Sequence, residues 1–298
     1  MSEPETIVVD LPHLRVEALA WGPEEGRLML CLHGYPDSAW TWRHLGPYFA
    51  DRAFRVVAPF TRGYAPTGTA PDGDYGIGAL MHDAIALHTA LGGAADAVLV
   101  GHDWGGLTAN GMAAHPDNPF EKVVSMGVPL VAGLKPGAGR GRALAQRLPR
   151  QLRMSWYILF QQLPGVSERA LDRVLPTLWR DWSPPGYDAT EDLSHVWDCL
   201  PTESHRTAAL SYYRAALRPL RRRRNRDLER YAMAETPRTP MLVLHGRIDG
   251  AIDAELATLG MHVLPTGSAH HLIDGAGHFM HLDRPDEVHR LIGEYVTR

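Results

Sequence analysis

Cysteine is almost missing from this chain: Cys31 and Cys199 are the only two in 298 residues. Two thiols cannot build a disulfide framework, so the usage fits a reducing compartment, with Cys31 a small buried residue on a strand. Long apolar runs are missing too, and none approaches a membrane span. The first residues, Met1-Ser2-Glu3-Pro4-Glu5, are acidic and lack the basic and apolar regions of a secretory signal. A soluble, cytoplasmic protein is the expectation. Charge of one sign is not in excess either. Thirty basic against 34 acidic residues leave a net −4, which excludes a chain held to nucleic acid by its overall charge. No tandem repeat or low-complexity tract is evident. What is present is a 45% hydrophobic composition, enough for a sizeable core in one large α/β domain or two ordinary ones.

Apolar runs bounded by turn residues predict the strands. Residues 5–11 and 13–21 read as an antiparallel pair joined at Pro12. Residues 28–32, 54–58, 97–100, 123–128, 241–244 and 270–273 read as further strands. Between them, residues 40–49, 77–91, 107–115, 254–259 and 284–296 read as helices; Leu80, Ala84, Leu87 and Leu91 recur at the spacing of an amphipathic one. Alternating strands and helices argue for a mostly parallel central sheet flanked by helices. The pattern changes after Pro129. Residues 131–232 contain no run of strand character, and hold four of the eight tryptophans, Trp156, Trp179, Trp182 and Trp197. Helix-like segments occur at 152–163, 168–179 and 207–217. The chain thus divides into a core, residues 1–130 and 233–298, and a helical cap, 131–232, inserted after the sixth strand. Such an insertion often covers a pocket at the carboxyl ends of the strands.

Three strand ends offer reactive groups. In Gly101-His102-Asp103-Trp104-Gly105-Gly106 one carboxylate is flanked by glycines two residues before and after it. That is the pattern of a nucleophile elbow, with Asp where many hydrolases carry Ser. An aspartate there would also face the first N–H groups of the following helix. Taken alone, the same stretch fits an ordinary helix cap. Asp249 and His278 end two later strands, and the order nucleophile, acid, base is that of α/β-hydrolases. Asp103 can attack an electrophilic carbon and form an ester; His278 can take a proton from the water that hydrolyses it; Asp249 can hold the imidazole in the useful tautomer. Asp253 is the nearest competitor of Asp249. His270, His271 and His281 lie near His278 but have no recognised ligand spacing, so neither a metal nor another cofactor is expected.

The motifs resemble those of epoxide hydrolases in the α/β-hydrolase superfamily. The similarity lies in His33-Gly34-Tyr35-Pro36-Asp37 followed by Trp42-Arg43, in the elbow at Asp103, in Arg62-Gly63-Tyr64 and in Gly277-His278. It spans essentially the whole chain and is clearest outside the cap. It implies an oxyanion hole from the backbone N–H groups of Tyr35 and Trp104. It also implies two cap tyrosines that hydrogen-bond and protonate the epoxide oxygen and so bind substrate beside Trp104. Tyr213, in Ser211-Tyr212-Tyr213-Arg214, resembles the second. The first is Tyr157 when the segment is aligned on Pro164-Gly165, or Trp156 when it is aligned on Phe160-Gln161; Tyr157 is the favoured assignment. The implied activity is hydrolysis of an apolar or aromatic epoxide to a vicinal diol, with water as the second reactant and no cofactor. A haloalkane or haloacid dehalogenase could share the Asp-His-Asp machinery. Against it, Tyr35 stands where haloalkane dehalogenases typically have Asn, and Trp104 where fluoroacetate dehalogenases typically have Arg. A non-catalytic small-molecule-binding protein on the same fold is a third possibility. The dense run Arg218, Arg221, Arg222, Arg223, Arg224, Arg226 and Arg230 reads as a solvated helix end, with an interaction patch as the alternative. The sequence leaves the oligomeric state open.

Overall fold

The computed structural model describes residues 3–135, 141–217 and 224–298. Eight strands form one sheet: β1 (Glu5–Asp10), β2 (Arg15–Trp21), β3 (Arg27–Leu32), β4 (Phe54–Pro59), β5 (Val98–His102), β6 (Lys122–Met126), β7 (Met241–Gly246) and β8 (Ala269–Ile273). Their spatial order is β1-β2-β4-β3-β5-β6-β7-β8. β1 and β2 pair antiparallel, as does β2 with β4, and every pairing from β4 to β8 is parallel. Parallel strands covered on both faces read as continuous apolar runs, and β5 and β7 are buried at every position. The parallel arrangement brings the carboxyl ends of β3, β5, β7 and β8 to one edge.

Helices α1 (Leu45–Ala50), α2 (Ile77–Ala90) and α3 (Trp104–Ala114) lie between the strands of the first half; α10 (Ala254–Leu259), α11 (Met280–Asp283) and α12 (Pro285–Val296) belong to the second. On α12, Val288, Leu291, Ile292 and Tyr295 share the buried face that their spacing predicts. Three expectations need correction. The helix expected at 40–49 is a 3-10 turn at Ala39–Trp42 followed by α1, because a helix through both would put the Pro47 ring against the carbonyl of Arg43. The helix after Asp103 starts at Trp104 rather than Leu107, since the turn ends within one residue. α2 is buried on more than the expected stripe: Gly78, Ala79, Met81 and Asp83 are buried as well, because α3 packs on it from another side.

Between β6 and β7 the chain is helical, with α4 (Gly141–Met154), α5 (Trp156–Phe160), α6 (Val166–Trp182), α7 (Thr190–Cys199), α8 (Glu203–Ala216) and α9 (Arg226–Met233). The helix expected at 152–163 is divided at Ser155, and α7 has no counterpart in the sequence reading. α6 packs on α8, and the buried Arg214 guanidinium meets Glu168 at 2.7 Å between them. Burial would raise the Glu168 carboxyl; the hydrogen bond and charge of Arg214 hold it down at about 2. The helices are tied to the sheet edge by a few strong contacts. Trp179 stacks on Phe279 with centroids 3.7 Å apart and donates from Nε1 to the Pro36 carbonyl at 2.9 Å. Tyr212 donates its hydroxyl proton to the Arg62 carbonyl at 2.7 Å. α9 sits apart from these helices, against α2 and α3 of the core. No helix among the described residues is long and apolar enough to cross a membrane.

The loop after β4 is held from beneath by a buried ion pair. Arg62 donates from Nε and Nη2 to the two Asp83 oxygens, each at 2.6 Å, and from Nη1 to the Asp74 carbonyl at 2.6 Å. His13 adds a 2.7 Å contact to Asp83. Removing Asp83 leaves the buried guanidinium with only the partly exposed Asp72 carboxylate at 3.3 Å, whereas removing Arg62 and Asp83 together leaves no buried charge of this pair. Asp83→Ala is therefore expected to lower unfolding free energy by about 3–5 kcal/mol in urea titrations. The double variant Arg62→Met/Asp83→Leu is expected to lose clearly less.

Candidate active site

Asp103 follows β5 at φ 53° and ψ −115°. A side-chain-bearing residue rarely holds positive φ, and Ala53 is the only other non-glycine residue to do so among those described. The turn closes because its neighbours are bare. A Cβ on Gly101 would strike the Gly105 carbonyl, and one on Gly105 would strike the carbonyl of Leu32 in β3. One on Gly34 would meet the Asp103 side chain itself. The glycines of both sequence motifs are thus needed for close approach of β5, α3 and the loop after β3.

The three reactive groups of the strand ends come together. Asp103 Oδ1 accepts a 2.7 Å hydrogen bond from the Tyr35 backbone N–H. Asp103 Oδ2 lies 3.6 Å from His278 Nε2, and that nitrogen has no hydrogen-bond partner. His278 Nδ1 sits 2.8 Å from Asp249 Oδ2. Asp249 Oδ1 accepts from the N–H groups of Ala251 at 2.7 Å and Ile252 at 2.9 Å, so the carboxylate is fixed before it meets the imidazole. Asp253 is engaged elsewhere, capping α10 through Leu256 N–H at 2.9 Å and pairing with Arg150 at 3.1 Å. The Trp104 N–H is the first of α3 and has no intrahelical carbonyl to meet. It opens toward Gly34, where an added Cβ would meet both it and the Asp103 side chain.

Burial shapes the electrostatics. It would lower the His278 imidazole, but the Asp249 charge, the hydrogen bond to Asp249 and the nearby Asp103 carboxylate outweigh it and raise the group to about 10. Burial would likewise raise Asp249, yet the His278 charge and hydrogen bonds from His245 and His278 hold it well below the usual carboxylate range. The two form a charged pair at neutral pH. Tyr157 and Tyr213 move the other way: burial, then neighbouring charge that includes Asp103, pushes both phenols well above their ordinary value. Both therefore keep their protons.

The cap residues fall on opposite sides of α5. Tyr157 is 4% exposed, with its ring 5.4 Å from that of Tyr213, whereas Trp156 is 43% exposed. The Tyr213 ring also meets Tyr35 at 5.2 Å and Trp104 at 5.1 Å, and its buried hydroxyl has no hydrogen-bond partner in the protein. Asp103, His278, Asp249, Tyr35, Trp104, Tyr157 and Tyr213 thus form one cluster. Three residues belong beside them that the sequence did not single out. Gln161 donates from Nε2 to the Tyr35 hydroxyl at 2.8 Å. Trp182 lies between Tyr157 and His278, with ring centroids at 5.0 and 5.1 Å, and its carbonyl accepts the His278 N–H at 2.7 Å. His245 stands 3.2 Å from Asp249. The Phe160-Gln161 pair was visible as an alignment point, but nothing local marks Gln161 as inward-facing.

Two side-chain groups among the described residues could hold a metal ion: His13, His82 and Asp83, and the buried Asp37, His102 and His281. Asp83 already receives the Arg62 guanidinium. His270 and His271 lie on β8, outside both groups. Of the basic run, Arg218, Arg221, Arg222 and Arg223 lie outside the described residues; Arg224, Arg226 and Arg230 are exposed.

Comparison with known proteins agrees with this fold. Residues 27–285 match the family model of the alpha/beta hydrolase fold. Epoxide hydrolase 3 of Xenopus tropicalis is 30% identical over 95% of this chain and 75% of its own length. Epoxide hydrolase A of Mycobacterium tuberculosis is 26% identical over 100% of this chain and 98% of its own. The crystal structure of Epoxide Hydrolase A from Mycobacterium thermoresistibile superposes with a TM-score of 0.77 at 25% identity, covering 98% of each chain.

The His278–Asp249 pair sets a pH dependence. The imidazole is raised from 6.5 to about 10 on folding, so its contribution is fully present below pH 6.5 and lost as pH rises through about 10. The urea midpoint of the wild type is expected to fall across that window. Asp249→Asn, which removes the main raising charge, is expected to flatten the decline whatever its absolute stability.

Proposed function

The chain belongs to the epoxide hydrolases of the α/β hydrolase fold family, and we propose that it converts an apolar or aromatic epoxide to a vicinal diol through a covalent ester on Asp103. The observation that carries this reading is the single cluster of Asp103, His278 and Asp249 beneath two buried, protonated phenols. Asp103 Oδ2 attacks one ring carbon while the carbon–oxygen bond breaks and its electron pair goes to the ring oxygen. Tyr157 and Tyr213 donate hydrogen bonds to that oxygen, and one phenol gives up its proton to the alkoxide. Deprotonation of a buried phenol is unfavourable, so the tyrosinate regains a proton at the expense of the His278 imidazolium. Trp104, Tyr157 and Tyr213 line the apolar walls around the substrate.

Ester formation itself readies the second half. Asp103 contributes to the raised His278 value. Once it is a neutral ester, that support is gone and the imidazole becomes a better base. His278 takes a proton from water, and the hydroxide adds to the ester carbonyl. The resulting oxyanion is met by the N–H groups of Tyr35 and Trp104. Its collapse frees the diol and restores the Asp103 carboxylate. The restored carboxylate raises His278 again and closes the cycle. Two phenols above the carboxylate favour alkoxide over halide as the leaving group, which sets this reading ahead of dehalogenation. Free, buried Cys31 and Cys199 suit the cytoplasmic setting that belongs to the same proposal.

Diol formation from a panel of aryl and alkyl epoxides tests the assignment. Asp103→Ala is expected to abolish it with the fold intact. Tyr213→Phe, leaving one phenol, is expected to lower kcat about 10²-fold or more. His278→Gln is expected to accumulate enzyme heavier by one substrate mass, seen by intact-protein mass spectrometry. An Asp103→Ala protein that keeps the wild-type rate would overturn the reading.

A further inference from the structure

Large apolar side chains exposed to solvent are unevenly placed. There are ten among the described residues, and six of them, Leu148, Leu152, Trp156, Leu159, Leu163 and Val166, fall within residues 148–166. Leu152 is 63% exposed and Leu159 69%. Scattered singly, such residues need no account; a ridge of them does. Leu148 and Leu152 are one turn apart on α4 and Trp156 and Leu159 one turn apart on α5, with Leu163 in the turn that follows and Val166 at the start of α6.

The ridge faces outward because α4 is turned inside out. Its polar side chains hold it to the core: Arg147 pairs with Glu255, and Arg150 lies 3.1 Å from Asp253. Gln151 donates to the Ala251 carbonyl at 3.0 Å and accepts from the Asp253 N–H at 2.9 Å. With Arg147 and Gln151 turned toward the core, Leu148 and Leu152 are left to the solvent. α5 divides in the same way, with Tyr157 inward and Trp156 and Leu159 outward.

Charge selects what covers this face. The sequence has no Asp or Glu between Lys122 and Glu168, a stretch that holds Lys135, Arg140, Arg142, Arg147, Arg150 and Arg153, although the whole chain is net acidic. Arg142, Arg150 and Arg153 are exposed beside the ridge. A second copy of the chain seated on this face would bring the same arginines against one another. Leucines with one tryptophan, flanked by arginines, suit a helix lying in the interface of a bilayer with anionic headgroups.

We propose that the α4–α5 ridge docks on the surface of an anionic phospholipid bilayer, with Leu152, Trp156 and Leu159 at the acyl boundary and Arg142 and Arg153 among the headgroups. The contact is peripheral. It places the inner face of α5, and Tyr157 with it, close under a surface into which apolar small molecules partition. The docking stands on the ridge and its charge alone; only its value for substrate capture rests on the proposed reaction.

Co-sedimentation of the full chain with vesicles tests it, using phosphatidylcholine alone and phosphatidylcholine mixed with phosphatidylglycerol. The wild type is expected to bind the mixed vesicles, to bind the neutral ones more weakly, and to be released by high salt. Leu152→Asp/Leu159→Asp is expected to weaken binding about tenfold or more while circular dichroism and the thermal midpoint hold. Arg142→Glu/Arg153→Glu, which leaves the apolar ridge untouched, is expected to weaken binding to the mixed vesicles only. The proposal is overturned if the wild type stays in the supernatant with both vesicles, or if neither double variant changes its binding. It is equally overturned if light scattering shows a wild-type dimer that Leu152→Asp/Leu159→Asp dissociates while vesicles capture nothing.

Discussion

At Asp103 the backbone passes from a buried strand to a helix within one residue, in a conformation that side chains rarely accept. That turn is possible only where β5, α3 and the end of β3 approach without intervening Cβ atoms, and Gly34, Gly101 and Gly105 supply the space. The same closeness brings the Tyr35 N–H to the Asp103 carboxylate at 2.7 Å. One steric constraint therefore positions the Asp103 carboxylate and the Tyr35 N–H together. Because the strands are parallel, the ends of β7 and β8 deliver Asp249 and His278 to the same edge.

The helices over that edge act mainly through what they exclude. Enclosed beneath them, phenols hold their protons more firmly, and an imidazole would hold its proton less firmly. Two carboxylates reverse the second tendency at His278. The resting site thus combines a charged imidazolium with neutral acids, and in the proposed reaction it changes when one carboxylate becomes an ester. Contacts such as Trp179 on Phe279 and Gln161 to Tyr35 keep the enclosure in register with the turn below.

The sheet was legible because strands buried on both faces must be apolar throughout, and runs such as 97–100 have no other ready explanation. The tight turn at Asp103 was legible because only glycine fits around it. What escaped depended on packing between distant segments. Trp182 and Gln161 acquire their places from α6 and α5 docking on loops distant in the sequence, which no local pattern records. The orientation of α5, which turns Tyr157 inward and Trp156 outward, is of the same kind: adjacent aromatics look alike until the partner surface is known. The break between Ala39–Trp42 and α1 is different, since Pro47 marks it within the sequence itself.

The covalent ester on Asp103 is the centre of this account, and the origin of the product oxygen tests it most directly. Enzyme in excess over epoxide would complete one turnover in water enriched in the heavy oxygen isotope. Attack by Asp103 predicts a first-turnover diol without the isotope and its appearance in the peptide that carries Asp103. A labelled diol with an unlabelled Asp103 peptide would mean that water opens the epoxide directly, and would contradict the account.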